Sequence, residues 1–291
     1  MTRRSRLVFA AAALFAAAVP SFPLALAAAP QGCVLLEDLL QAAPGQAYAG
    51  LGRSLAVHGS TAVAGATHLD VVGSDSGGAY VFVAGPPGGW SQEAELLAPQ
   101  PAQQDYFGIS VAVHGDTIAV GSLTDGGPGY QSGAVLLFER TGGTWSFVQQ
   151  LVGSGVQAGD WFGESVALVG DRLAVGCTRE NHANGYGLTY VFRRAGSAWV
   201  EEARLVPDLF PAAYAGQAVA LQGDRLVVGN PLANSVTHTG FAYVYERDGA
   251  GAWNRVAVLA ASDGRPGDGF GRSVALDGDN VLVGARQANP G

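Results

Sequence analysis

From about residue 50 onward the chain runs in short stretches of alternating side chains. In Ser110-Val-Ala-Val-His114, Ser110, Ala112 and His114 fall on one side, and Val111 and Val113 on the other. A period of two marks a β-strand. Thr117–Gly121, Ala134–Arg140 and Trp145 to about Val152 read as three further strands, so one unit comprises strands a, b, c and d. No window carries a long helical period.

The unit repeats. Its opening phrase occurs as Gly52-Arg-Ser-Leu-Ala-Val-His-Gly59, Gly108-Ile-Ser-Val-Ala-Val-His-Gly115, Gly163-Glu-Ser-Val-Ala-Leu-Val-Gly170, Gly216-Gln-Ala-Val-Ala-Leu-Gln-Gly223 and Gly271-Arg-Ser-Val-Ala-Leu-Asp-Gly278. Steps between the first glycines are 56, 55, 53 and 55 residues. Gly65, Gly121, Gly176, Gly229 and Gly284 close strand b at the same period. Phe82, Phe138, Phe192 and Tyr245 are expected to end strand c, and Trp90, Trp145, Trp199 and Trp253 to open strand d. Glycine-led pairs such as Gly115-Asp116 and Gly170-Asp171 join a to b, as tight hairpins require. The b–c connections are longer and vary in sequence.

A four-stranded sheet with two partly apolar faces must bury each face against a neighbour. Ser and Ala on one face of strand a suit a crowded inner strand, while Val, Leu and Phe fill the space between sheets. The expected fold is therefore all-β: a β-propeller-like array of four-stranded antiparallel blades, about five units with the last incomplete. The units span roughly residues 47–99, 103–152, 158–206, 211–260 and 266–291.

Phe107-Gly108, Phe162-Gly163 and Phe270-Gly271 resemble the "FG" of the FG-GAP repeat, found in integrin alpha subunits and many secreted bacterial proteins. The "GAP" half matches in part, as Gly65-Ala66-Thr67, Gly121-Ser122-Leu123, Gly176-Cys177-Thr178, Gly229-Asn230-Pro231 and Gly284-Ala285-Arg286. Leu51 and Ala215 replace the phenylalanine. This resemblance covers nearly everything after residue 33 and implies a propeller of the integrin-alpha type. It says little about function.

Ahead of the repeats, Arg3, Arg4 and Arg6 precede an apolar run from Leu7 to Leu26 and a small-residue stretch to Ala29. That layout is read as a signal peptide over residues 1–29, so the chain is expected to be secreted to the cell envelope or exterior, with no membrane span in the mature chain. The net charge is −8, and all 16 basic residues are arginine, three of them in the leader. An acidic chain without a basic cluster offers no footprint for nucleic acid.

Chemistry is sparse. Integrin-like repeats often carry an Asp-x-Asp-x-Asp-Gly calcium loop between strands a and b, but here that connection is two residues long. One aspartate cannot supply six to eight oxygens. Asp116, Asp171, Asp224 and Asp279 read as turn residues. Asp105, Asp160 and Asp268 recur before the opening phrase and are expected to satisfy turn amides. His58, His114, His68, His182 and His238 have no metal-ligand spacing, and Glu180-Asn181-His182-Ala183-Asn184-Gly185 lacks spaced carboxylates. Cys177 falls in a column of small residues, Ala66, Ser122, Asn230 and Ala285, so it reads as a small buried side chain, and a bridge to Cys33 is a lesser option. No catalytic, cofactor-binding or metal residue is assigned.

The expectation is a non-catalytic binding or scaffold module that meets a protein or glycan through its b–c loops, where Tyr186, His182, Thr237 and His238 lie. A propeller hydrolase or lyase with dispersed site residues, and a truncated product, are the alternatives. Val34–Leu40 occupies a strand-d slot and is expected to help complete the fifth blade, in an imperfect ring or a curved open arc.

Overall fold

The computed structural model describes residues 41–43, 45–46, 48–85, 89–124, 128–179, 187–207, 214–232 and 239–286. All regular structure there is β. Unit 1 holds β1 (Leu51–His58), β2 (Thr61–Ala66), β3 (Gly78–Gly85) and β4 (Gly89–Leu96). Unit 2 holds β5 (Val111–His114), β6 (Thr117–Ser122), β7 (Ala134–Thr141) and β8 (Thr144–Leu151). Unit 3 holds β9 (Phe162–Val169), β10 (Arg172–Cys177), β11 (Leu188–Ala195) and β12 (Ala198–Leu205). Unit 4 holds β13 (Ala218–Gln222), β14 (Arg225–Asn230), β15 (Phe241–Arg247) and β16 (Trp253–Leu259). Unit 5 contributes β17 (Phe270–Asp277) and β18 (Asn280–Ala285). Each of the first four units is one antiparallel sheet in the order a, b, c, d, and the fifth is an a–b hairpin. The phenylalanine column differs from expectation: Phe82, Phe138 and Phe192 lie mid-strand, because strand c continues into the c–d hairpin.

Strand a is innermost. β1 packs on β5, β5 on β9, β9 on β13, and β13 on β17. Strand b, enclosed by its sheet neighbours and the adjoining units, is buried at every position in β2 and β6.

The two glycine columns meet at each seam. A Cβ on Gly65, Gly121, Gly176 or Gly229 would overlap the backbone carbonyl oxygen of Gly108, Gly163, Gly216 or Gly271 in the next unit. Those partner glycines have φ of 91°, 92°, 89° and 98°, which a side chain would strain. Ser54, Ser110 and Ser165 donate hydroxyl hydrogen bonds to the same carbonyls at 2.8, 2.7 and 2.6 Å. Beside them Phe107 and Phe162 are fully buried. Close backbone approach, a satisfied carbonyl and an aromatic plug thus lock one unit onto the next.

Strand d carries a second device. In each of the first four units the c–d register slips once, opposite Phe82, Phe138, Phe192 and Tyr245. The extra residues are Glu93, Val148, Glu202 and Val256. Such a bulge re-aims its side chain. Glu93 accepts from Arg140 at 3.3 Å and Trp145 Nε1 at 2.8 Å in unit 2. Glu202 accepts from Arg247 at 2.9 Å and Trp253 Nε1 at 3.5 Å in unit 4. Between units 2 and 3, Gln149 brackets the backbone N–H and C=O of Trp199, and Arg194 pairs with Glu139 at 2.7 Å.

At the two ends of the array Leu55, Val57 and Leu282 are exposed. β1 and β17 share no packed interface among the described residues. The leader, Cys33 and the Val34–Leu40 segment lie outside the described residues.

Candidate functional site

The a–b and c–d hairpins occupy one end of the array, and the b–c loops with the d–a connections occupy the other. Among the described residues, every non-glycine residue with positive φ lies at that second end. They are Tyr48, Asp75, Gln104, Tyr106, Gln131, Trp161 and Tyr214, with φ between 50° and 68°. A bulky side chain held there costs about 1–3 kcal/mol and persists only where its surroundings fix it.

The fixing is visible. Tyr106 N–H donates to Asp75 O at 3.0 Å, and Trp161 N–H to Gln131 O at 3.1 Å. Asp105, Asp160 and Asp268 are buried, and each accepts from the amide three residues earlier: Ala102 at 2.5 Å, Gln157 at 2.7 Å and Arg265 at 2.7 Å. The expected amide-satisfying role of these aspartates is what they perform. Gly50 and Gly269 stand in the column of Tyr106, Trp161 and Tyr214, where each carbonyl accepts from the amide three residues on. Inner seams therefore carry an aromatic ring where the outer units carry glycine.

The Tyr106 and Trp161 rings border an open cleft of about 420 Å³. Its wall draws on three units: Arg53 and His68 from unit 1, Tyr106 and Gln131 from unit 2, and Trp161 and Glu164 from unit 3. His68 Nδ1 lies 2.7 Å from Asp75 Oδ1, and its ring meets Tyr106 edge-on at 6.1 Å. Arg179 lies over the Trp161 ring at 3.5 Å and over Tyr214 at 5.8 Å. Such contacts contribute about 0.5–2 kcal/mol. Glu164 accepts a short hydrogen bond from the Thr178 hydroxyl. The cleft thus has two half-buried aromatic rings, both signs of charge and planar donors and acceptors.

The FG-GAP repeat family model matches residues 37–82, 90–138, 145–192 and 253–291, more than half of the chain. The chain belongs to the FG-GAP repeat family. No curated protein matches it. Each FG-GAP match after the first opens in strand d of one unit and takes in strand a of the next, so the matched module straddles the seams described above.

The remaining predicted residues scatter over the FG-GAP array. His58 and His114 come together at the hairpin end, with ring centroids 4.1 Å apart. Asp116, Asp224 and Asp279 do more than turn the chain: Arg140, Arg172 and Arg225 reach them at 2.7, 3.6 and 2.8 Å. Cys177 is fully buried, and its thiol faces the Asp160 carbonyl at 3.5 Å, as the Ser122 hydroxyl faces that of Asp105 at 2.8 Å. His182, Tyr186, Thr237, His238 and the Glu180–Gly185 segment lie outside the described residues. Among the described residues no three His, Cys, Asp or Glu side chains gather as a metal site, and no helix is long and apolar enough to cross a membrane. Sequence reasoning missed Tyr106, Trp161 and Arg179. For the two rings the signal is a column that holds glycine at Gly50 and Gly269 and an aromatic residue at Tyr106, Trp161 and Tyr214; Arg179 has no such signal.

Proposed function

We propose that this FG-GAP protein is a non-catalytic binding or scaffold module, exported by its leader, whose contact surface is the end bearing the b–c loops. FG-GAP repeats are typically binding or adhesion modules. The observation that carries the reading is the segregation of strain. Among the described residues, all seven left-handed non-glycine residues sit at that end and none at the hairpin end. Strain retained in one place points to use rather than to folding. Export is read from Arg3, Arg4, Arg6 and the apolar run behind them. N-terminal sequencing of the exported chain is expected to begin between Ala28 and Gln31.

The test is capture by immobilised envelope proteins and surface glycans. Tyr130→Arg places a charge on an exposed b–c loop residue, and Ser146→Arg places one beside the hairpin end. Capture is expected to fall with the first and to persist with the second. Equal loss with both, or no capture of any ligand, overturns the proposal.

A further inference from the structure

We propose that the cleft bridging units 1 to 3 is a carbohydrate site that seats one pyranose residue against the rings of Tyr106 and Trp161. This deepens the binding-module reading and rests on it. A pyranose presents an apolar C–H face and a rim of hydroxyls that both donate and accept. Its site needs a rigid flat ring beside planar polar groups, and the cleft provides both. Its volume of about 420 Å³ lies in the range of small-ligand sites and holds one or two sugar rings.

Four features favour a neutral sugar over other ligands. Tyr106 and Trp161 have their backbones pinned by hydrogen bonds to Asp75 and Gln131 and their rings packed against His68 and Arg179, so little ordering is left when a ligand arrives. Gln131 and Glu164 supply planar donors and acceptors at the rim. The Arg53 guanidinium makes no hydrogen bond or ion pair among the described residues and is exposed beside the cleft. Glu164 stands in the same wall, so the charges oppose one another and select neither an anion nor a cation.

The conformational pattern adds weight. Gly50 and Gly269 adopt the same left-handed backbone as Tyr106 and Trp161 without strain. Glycine thus satisfies this backbone position, and the aromatic rings at the cleft serve something further. The competing account is packing alone, with Tyr106 against His68 and Trp161 against Arg179.

The two accounts separate on one variant. Tyr106→Gly removes the ring and relieves the backbone. The full chain is titrated with cellotetraose, chitotetraose and mannotetraose up to about 10 mM, beyond the millimolar range of weak binding. Tryptophan fluorescence and calorimetry report the result. Saturable binding of at least one tetraose is expected. Trp161→Ala and Tyr106→Gly should each weaken it about tenfold or more, in keeping with the loss of a stacked ring. Tyr106→Gly should melt at or above the wild-type temperature. A fall in melting temperature alongside the lost binding assigns the ring to packing and overturns the proposal. So does binding that both variants leave unchanged, or no binding of any tetraose. If no tetraose binds while capture of a protein still depends on Tyr130, the glycan assignment fails and the binding-module reading stands.

Discussion

Replacing Gly176 by alanine tests the seam between units 3 and 4 with a single methyl group. Gly176 does not have positive φ, so its backbone accepts alanine. Taken alone, the change would stabilise the chain by about 0.4–1 kcal/mol, through lower entropy of the unfolded state. Against this, the new Cβ would sit within the van der Waals surface of the Gly216 carbonyl oxygen and close to the Ser165 hydroxyl. Ser165 can rotate away, but Gly216 is backbone and is itself held by its N–H on Gly229 O at 3.1 Å. Relief requires the two units to separate, which loosens the apolar cluster around Leu221, Leu226 and Tyr243. Overpacking of this kind costs about 1–3 kcal/mol where side chains can adjust. With backbone on both sides, about 3–5 kcal/mol is expected, in the range tied to a specific steric conflict. At roughly 2–4 °C per kcal/mol for a chain of this size, the melting temperature should fall by about 6–20 °C. Gly284 is the control. It occupies the same column, but an added Cβ there meets only Ser273 of its own hairpin. Gly284→Ala should change stability by less than about 1 kcal/mol. Thermal melts of both variants by near-ultraviolet circular dichroism give the comparison. If Gly176→Ala melts within a degree or two of wild type, or Gly284→Ala falls as far, backbone contact does not hold the seam.

Three further outcomes are expected. Glu202→Ala should cost about 2–3 kcal/mol in urea unfolding, because a carboxylate only 10% exposed loses Arg247 and Trp253 together, whereas Glu246→Ala, 44% exposed, should cost under about 1 kcal/mol. Stability should drop as pH falls below about 6.5: burial and the neighbouring His58 lower the His114 pKa, so the unfolded chain takes up protons first, and that stability is full above the ordinary histidine value and lost toward the folded one. His114→Gln removes the shifted group and should flatten the loss between pH 7 and 5. Melting in excess calcium and in chelator should coincide, since Asp116 and Asp279 already face arginines; a calcium-dependent rise of more than about 2 °C would contradict this, because selective binding to the folded state raises its stability.

Legibility in the sequence followed chemical uniformity down each column. The glycine column at 65, 121, 176, 229 and 284 was plain, because one residue type fills all five copies, and backbone contact with the next unit excludes any other at the first four. Why glycine stood there was not plain, because the atom that excludes a side chain belongs to the next unit, about 40 residues away. The bulge column was hidden for the opposite reason. Glu93, Val148, Glu202 and Val256 share a backbone position but no chemistry: Glu93 and Glu202 bind an arginine and an indole of the next unit, whereas opposite Val148 the equivalent Arg194 turns to Glu139 instead. The cleft fell between these cases. Arg53, His68, Tyr106, Gln131, Trp161 and Glu164 follow no motif spacing, and only the stacking of three units brings them to one wall. One trace of it was written in the chain all the same. A column reading Gly50, Tyr106, Trp161, Tyr214 and Gly269 mixes the least and the most hindered residues, which makes sense only at a left-handed position. Where glycine would do and an aromatic ring stands instead, the backbone carries a strain that packing alone does not require. Such a column, found in sequence, marks the end of a repeat array on which a ligand is best sought.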